Sequence, residues 1–209
     1  TGTPSHLAFA TGCRAETGVS PGDTISPWYD PMIAKIVVHG PTRAAALRQL
    51  ADALARTEVA GSVTNLSFLS ALAGHDGFAA GDVDTGLIAR GLEALTATPP
   101  RPVWADVLAV LAAADIGADL LADLPADGLP GFALWAPLER PMTLSIGGED
   151  LAARLAVTAE NRAEIVLGEA RHTAEFRAGT WWVNGTSAPA RALRIGGEVA
   201  VFTTPALTY

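Results

Sequence analysis

Only one of the fourteen basic residues is a lysine, Lys35, so chemistry that needs an amine has one candidate. A phosphate-cradling loop places Gly before its lysine and Ser or Thr after it, so that backbone amides and the ammonium meet the phosphate oxygens. Lys35 sits instead between Ala34 and Ile36, in the run Tyr29-Asp30-Pro31-Met32-Ile33-Ala34-Lys35. The Gly-X-Ser-X-Gly elbow of serine hydrolases does not occur. His6, His39, His75 and His172 are scattered, and none forms the His-X-X-X-His pair that puts two imidazoles on one helical face for zinc. Nothing in the spacing of the 22 acidic residues singles out two for general acid–base work. Two groups remain: a polar set, Arg14, Tyr29, Asp30 and Lys35, and an aromatic set, Phe132, Trp135, Trp181 and Trp182. Asp30 precedes proline and is biased toward extended geometry, from which its carboxylate can accept from a backbone amide or an arginine. Lys35 alternates with apolar neighbours and points to one face of a strand. The polar set is open to two readings, an edge ion pair or support for a site or subunit interface. Trp181 and Trp182 face opposite sides of a strand, so one ring is expected in a core and the other at a surface, where Phe132 or Trp135 could join it.

These residues must be held by elements that the pattern predicts. Ile33 to Val38 is β-branched and nearly continuous, and reads as a buried strand. Thr42 caps a helix from about Arg43 to Arg56, with Leu47, Leu50, Ala51 and Leu54 on one face. A short extended piece, Glu58 to Ala60, leads to Gly61, and Thr64 or Asn65 caps a second helix through Leu66, Leu69 and Leu72. Gly74 to Gly81 is loop with about one helical turn, and Thr85 to Leu95 is a further helix. Thr98-Pro99-Pro100-Arg101-Pro102 disfavours helix, which places a domain boundary there: residues 1–97, then 98–209. A long apolar helix from about Val103 to Ala122 opens the second domain, and its character suits a helix enclosed by other structure. From Gly131 onward come short strands: Phe132 to Trp135, Met142 to Ile146, Leu151 to Thr158, Glu164 to Leu167, His172 to Arg177, Thr180 to Val183, Ala190 to Ile195 and Val199 to Thr203. Gly147-Gly148, Asn184-Gly185 and Gly196-Gly197 favour tight hairpins between them. The expected fold class is α+β: an α/β part, then a helix enclosed by an antiparallel barrel of about eight strands.

Composition narrows the function classes. The chain has 209 residues, 49% of them hydrophobic, which suits one or two globular domains. A formal net charge of −8 repels phosphate backbones and anionic bilayers, so neither nucleic acid nor membrane is an expected partner. The first ten residues lack the basic and apolar regions of a signal peptide. Cys13 is the single cysteine, which fits a reducing compartment, cytoplasm or mitochondrial matrix.

The stretch Gly22-Asp23-Thr24-Ile25-Ser26-Pro27-Trp28-Tyr29-Asp30-Pro31-Met32-Ile33-Ala34-Lys35 is followed by Gly40 and Arg43, then by Val59-Ala60-Gly61-Ser62-Val63-Thr64-Asn65-Leu66, then by Phe78, Gly81, Thr85 and Ile88. This order resembles the C-terminal domain of biotin carboxylase over roughly residues 1–90. The resemblance implies a partial biotin carboxylase C-terminal domain, with Arg14 at a dimer interface and Tyr29, Asp30 and Lys35 as site-supporting residues. It also implies that the catalytic groups lie upstream, in an ATP-grasp region this chain does not contain, where ATP, Mg and biotin act. No catalytic, cofactor or metal ligand is expected in the fragment, which by itself is expected to be inactive. The remainder resembles the subunit-docking (BT) domain of acyl-CoA carboxylase α subunits, a helix within a β-barrel that meets the carboxyltransferase β subunit. A biotin carrier domain would follow in the same parent chain. Within the family the ending Val199-Ala200-Val201-Phe202 looks more like the 3-methylcrotonyl-CoA type than the propionyl- or acetyl-CoA type. A free-standing β-barrel ligand-binding module is the rival from another class.

Overall fold

A computed structural model describes residues 2–26, 28, 30–116, 137–203 and 206–209. Among them the chain forms two compact units, the first over Thr1–Pro100 with Thr204–Ala206 and the second over Arg101–Thr203 with Leu207–Tyr209.

The first unit runs β1 (His6–Ala8), β2 (Arg14–Thr17), β3 (Ala34–Val37), α1 (Arg43–Ala55), β4 (Glu58–Ala60), α2 (Leu66–Ala73), α3 (Asp76–Ala80) and α4 (Leu87–Thr96). Strand β1 pairs antiparallel with β4, and β2 with β3. The Thr42 hydroxyl accepts from the Ala45 amide at 3.2 Å, satisfying one of the free donors that begin α1. At α2 it is the Thr64 hydroxyl that accepts, from the Leu66 amide at 3.4 Å, while Asn65 makes no side-chain cap. Helix α4 begins two residues later than its pattern suggests, because the Asp84 carboxylate accepts from the Gly86 amide at 2.8 Å and holds a turn there.

Two sequence expectations change in this unit. The buried stripe of α1 includes Leu54 and Ala53, while Ala51 is exposed. Strand β3 is not buried: Lys35 and Val37 face solvent, and Ala34 and Ile36 are only half covered. Among the described residues β3 has one ladder partner, β2, so β-branched composition alone did not bring it a covering layer.

The second unit opens with α5 (Val103–Ala113), followed by β5 (Arg140–Ile146), β6 (Glu149–Ala159), β7 (Arg162–Leu167), β8 (Ala170–Arg177), β9 (Thr180–Val183), β10 (Thr186–Ala188), β11 (Ala192–Ile195), β12 (Glu198–Val201) and β13 (Leu207–Thr208). Every residue of α5 from Ala105 to Ala112 is buried, so the helix is covered on all sides, packing against β6, β9, β11 and β12. It ends at Ala113 rather than continuing to Ala122. Asp115 turns left-handed (φ 59), the Ile116 amide donates to the Leu111 carbonyl at 2.8 Å and the Asp115 amide to Ala112 at 3.0 Å. This crossed pair closes the helix with an aspartate where glycine is commonest. The rest of the expected helix beyond Ile116, and the expected strand at Phe132–Trp135, lie outside the described residues.

The expected single barrel of about eight strands is corrected by the ladders. Strands β5 to β10 form one six-stranded antiparallel meander, and β11 to β13 a separate three-stranded sheet; no ladder among the described residues joins them into a closed barrel. Strand β10 had no sequence signal, being three residues long without apolar alternation. The hairpins follow turn chemistry: Asn184 (φ 50) and Gly185 (φ 78) supply the two left-handed positions that let β9 and β10 pair without splaying.

Candidate functional site

The polar set of the first unit is assembled by the β2–β3 ladder. Its register opposes Arg14 to Val37 and Glu16 to Lys35. Alternation then puts Arg14, Glu16 and Lys35 on one solvent-facing side. The Arg14 guanidinium pairs with Glu16 at 3.2 Å across largely exposed side chains, an arrangement worth little in water. Asp30 is exposed, and no partner of its carboxylate is found among the described residues. Tyr29 lies outside them.

On the other side of β3, Ala34 and Ile36 line a groove of about 770 Å³ with Phe9, Ile25, Leu50 and Leu69, and Asp30 stands in its wall. Met32 and Val63, which also border it, are 47% and 99% exposed. The lining is mostly apolar, with Asp30, Thr57, Ser62, Thr64 and Asn65 as its polar members, so it can take up a largely apolar surface. Among the described residues no three His, Cys, Asp or Glu side chains cluster to hold a metal ion.

The motif residues around this groove act on the backbone. A Cβ at Gly40 would come within 2.6 Å of the Ala46 amide nitrogen in α1, so only glycine lets the chain pass that close. Gly61 has φ 81, and a Cβ there would meet the Thr3 carbonyl oxygen at 2.5 Å and the Ser5 nitrogen at 2.7 Å. Arg43 donates through Nε to the Phe78 and Ala79 carbonyls, each at 3.2 Å, and through its terminal nitrogen again to Phe78. Its guanidinium also lies 5.1 Å from the centre of the Phe78 ring. Arg43 thereby ties the start of α1 to the carbonyl end of α3, and this contact explains why an arginine after Gly40 and a phenylalanine before Gly81 belong to one constellation. Sequence reasoning put Arg43 in the constellation after Gly40 but gave it no partner.

In the second unit Trp181 is buried against Phe176, ring centres 5.2 Å apart, while Trp182 faces outward, half covered, with the Arg177 guanidinium 5.8 Å above its ring. Phe132 and Trp135 lie outside the described residues. A cluster the sequence did not reveal centres on Asp106, in the first turn of α5. Its Oδ1 accepts from the Tyr209 hydroxyl at 2.5 Å and from Arg101 Nε at 3.0 Å, and Asp106 is 7% exposed. Burial, and the hydrogen bond to this carboxylate, push the Tyr209 phenol above its usual range, so it stays a donor. The one signal was an acid in the first turn of an otherwise apolar helix; nothing in the sequence pointed to a partner 103 positions away.

Residues 1–90 match the family model of the biotin carboxylase C-terminal domain, and the first unit is of that class. Its particular relatives include the mitochondrial methylcrotonoyl-CoA carboxylase subunit alpha of Glycine max, 52% identical over 83 residues, a stretch that is 40% of this chain and 11% of that protein. The propionyl-CoA carboxylase alpha chain of Ruegeria pomeroyi is 49% identical over 77 residues, 37% of this chain and 11% of that one. Among solved structures, the urea carboxylase of Kluyveromyces lactis is 36% identical with a TM-score of 0.40, covering 42% of this chain and 8% of that one. The chain thus spans 11% of the length of either curated relative.

Proposed function

We propose that this chain is the closing part of the biotin carboxylase unit of an acyl-CoA carboxylase α subunit, of the 3-methylcrotonyl-CoA type, followed by a module that docks the carboxyltransferase β subunit. The observation that carries the reading is the ordered constellation within residues 1–90, from Asp30 through Gly40, Arg43 and Gly61 to Phe78 and Gly81. In the parent, ATP and bicarbonate would carboxylate the N1′ of biotin, and the β subunit would pass the carboxyl group to an acyl-CoA. On this reading those cofactors are held outside this chain. A biotin attachment lysine needs a tight hairpin, whereas Lys35 lies within β3 opposite Glu16. The sequence carries no Gly-Lys-Ser/Thr phosphate loop for ATP. On this reading the share of this chain is architectural. It completes the biotin carboxylase fold and, through the second unit, keeps two reaction centres within reach of one carrier, an effective-concentration effect. Trp182 is the candidate contact on the described surface of that unit, Arg14 a candidate for the carboxylase dimer, and Asp30 and Lys35 site-supporting residues in the complete unit. The compartment this reading implies is the cytoplasm, or the mitochondrial matrix in a eukaryote, as in the names of the mitochondrial relatives.

Affinity capture of the 209-residue chain with the carboxyltransferase β subunit encoded beside it tests the docking reading. Stoichiometric binding, weakened by Trp182→Ala, is the expected result, and the acyl-CoA preferred by the captured subunit identifies the substrate. Propionyl-CoA preference would move the assignment to the type of the Ruegeria relative. A folded chain that captures nothing would favour a ligand-binding module instead. The observation behind that second reading is the groove of about 630 Å³ lined by Leu108, Leu111, Phe176, Trp181 and Ala190.

A further inference from the structure

Asn184-Gly185 is the one Asn-Gly pair in the sequence, and both residues are exposed. Such a pair can modify itself. The glycine nitrogen attacks the asparagine Cγ, a new C–N bond closes a cyclic imide, and the carboxamide nitrogen leaves as ammonia. Water then opens the ring to aspartate or to isoaspartate, whose backbone runs through Cβ. Glycine places no Cβ beside the attacking nitrogen, so the sequence alone marks this pair as labile. The fold opposes the reaction in two ways. Asn184 sits left-handed in the β9–β10 turn, with φ 50, and a residue of that kind, with ψ of about 47°, turns the next nitrogen away from its own Cβ. Its carboxamide is also held at both ends. Oδ1 accepts from the Thr173 amide at 3.0 Å and Nδ2 lies 3.0 Å from His172 Nδ1, while the Asn184 amide donates to the Thr173 carbonyl at 2.9 Å. The Thr173 amide can only donate, so the atom it meets is the carboxamide oxygen. The NH2 group therefore faces the imidazole, Nδ1 accepts, and the proton of the neutral ring is on Nε2.

We propose that Asn184 is a latent deamidation site and that His172 keeps it closed, by holding the nitrogen that would leave. Attack requires the carboxamide to rotate toward Gly185, which breaks its bonds to Thr173 and His172 and opens the turn. The products do not fit the hairpin. Isoaspartate lengthens the main chain of a two-residue turn, against the register that sets Thr186 opposite Val183 and Ser187 opposite Trp182. Aspartate keeps the register but loses the donor, and sets a carboxylate oxygen against the bare Nδ1. An imidazolium at the same place would act in the opposite sense, by giving a proton to the departing nitrogen, so guard and catalyst change the rate in opposite directions. Neither the site nor its guard rests on the carboxylase reading.

The test ages the full 209-residue chain at neutral pH, folded and, separately, unfolded in urea. Mass spectrometry of peptide digests reads conversion of amide to acid at Asn184, with Asn65 and Asn161 as internal references and Asn184→Asp as the product standard. The expected result is slow conversion in the folded chain and rapid conversion in the unfolded one. His172→Phe, which removes the acceptor, should raise the folded-state rate about fivefold, the weight of one hydrogen bond. His172→Gln, whose Oε1 can accept, should recover part of the protection. Near-ultraviolet dichroism of the buried Trp181 shows which variants are folded; should His172→Phe not fold, His172→Ala takes its place. Equal rates in the folded and unfolded parent, or a folded variant without the imidazole that deamidates no faster than the parent, would overturn the proposal. No readout involves biotin, ATP or a β subunit, so failure here is distinct from failure of the carboxylase reading.

Discussion

At the scale of single residues, the motif of the first unit is mostly a set of steric and hydrogen-bonding constraints. Gly61→Ala forces a left-handed backbone and a Cβ against Thr3 and Ser5, and is expected to cost about 2 kcal/mol or more. Gly18, with open space around it, is the control: Gly18→Ala should be neutral within about 0.5 kcal/mol in the same urea titration. Arg43→Ala removes the donors to Phe78 and Ala79; the site is exposed, so the loss is expected near 1 kcal/mol. Arg43→Lys should recover only part of it, since an ammonium cannot reproduce the planar fork; equal recovery would show that charge alone mattered. Tyr209 gives a pH dependence with a definite sign. Its folded pKa is raised above the usual 10.0, mainly by burial and then by Asp106. The contribution is therefore complete below that value and declines as alkali strips the proton from the unfolded chain only. Urea midpoints measured from about pH 9 to 11.5 should fall in the parent and fall less in Tyr209→Phe.

At the scale of elements, α5 is where the second unit stores its stability. A helix buried from Ala105 to Ala112 has no face to spare, and its alanines let the strands of two sheets approach it closely. Leu108→Ala, at a position 2% exposed and in contact with the surrounding sheets, is expected to destabilise by about 3 kcal/mol through lost transfer energy and a cavity. Val103→Ala, half exposed at the first turn, should stay within about 0.5 kcal/mol. Denaturation followed by Trp181 fluorescence separates the two, and similar losses would mean that α5 is not enclosed. The hairpins were legible because turn chemistry is local: Asn184-Gly185 dictates its turn wherever it stands. The burial of β3 was not legible, because a β-branched run reports a preference for pleated geometry and says nothing about which layer arrives to cover it.

At the scale of the whole molecule, a chain without a phosphate loop or a cation cluster among its described residues should show no bicarbonate-dependent ATP hydrolysis; a phosphate-release assay on the purified 209-residue chain checks this, and turnover above a mock preparation would refute it. By itself the sequence determined the α+β class, the helix and strand signals that depend on neighbours a few positions apart, and the biotin carboxylase constellation, whose residues recur in fixed order along the chain. These are local or linear properties: a cap, a period, a turn, a spacing. Tertiary structure alone decided that the described strands of the second unit pair as a six-stranded and a three-stranded sheet, because closure depends on which edges meet. It decided that Arg43 belongs with Phe78, and that Asp106 takes Arg101 from one side and Tyr209 from 103 residues away. A buried carboxylate needs donors, but sequence cannot say which ones arrive; only the folded path of the chain brings them within hydrogen-bond reach.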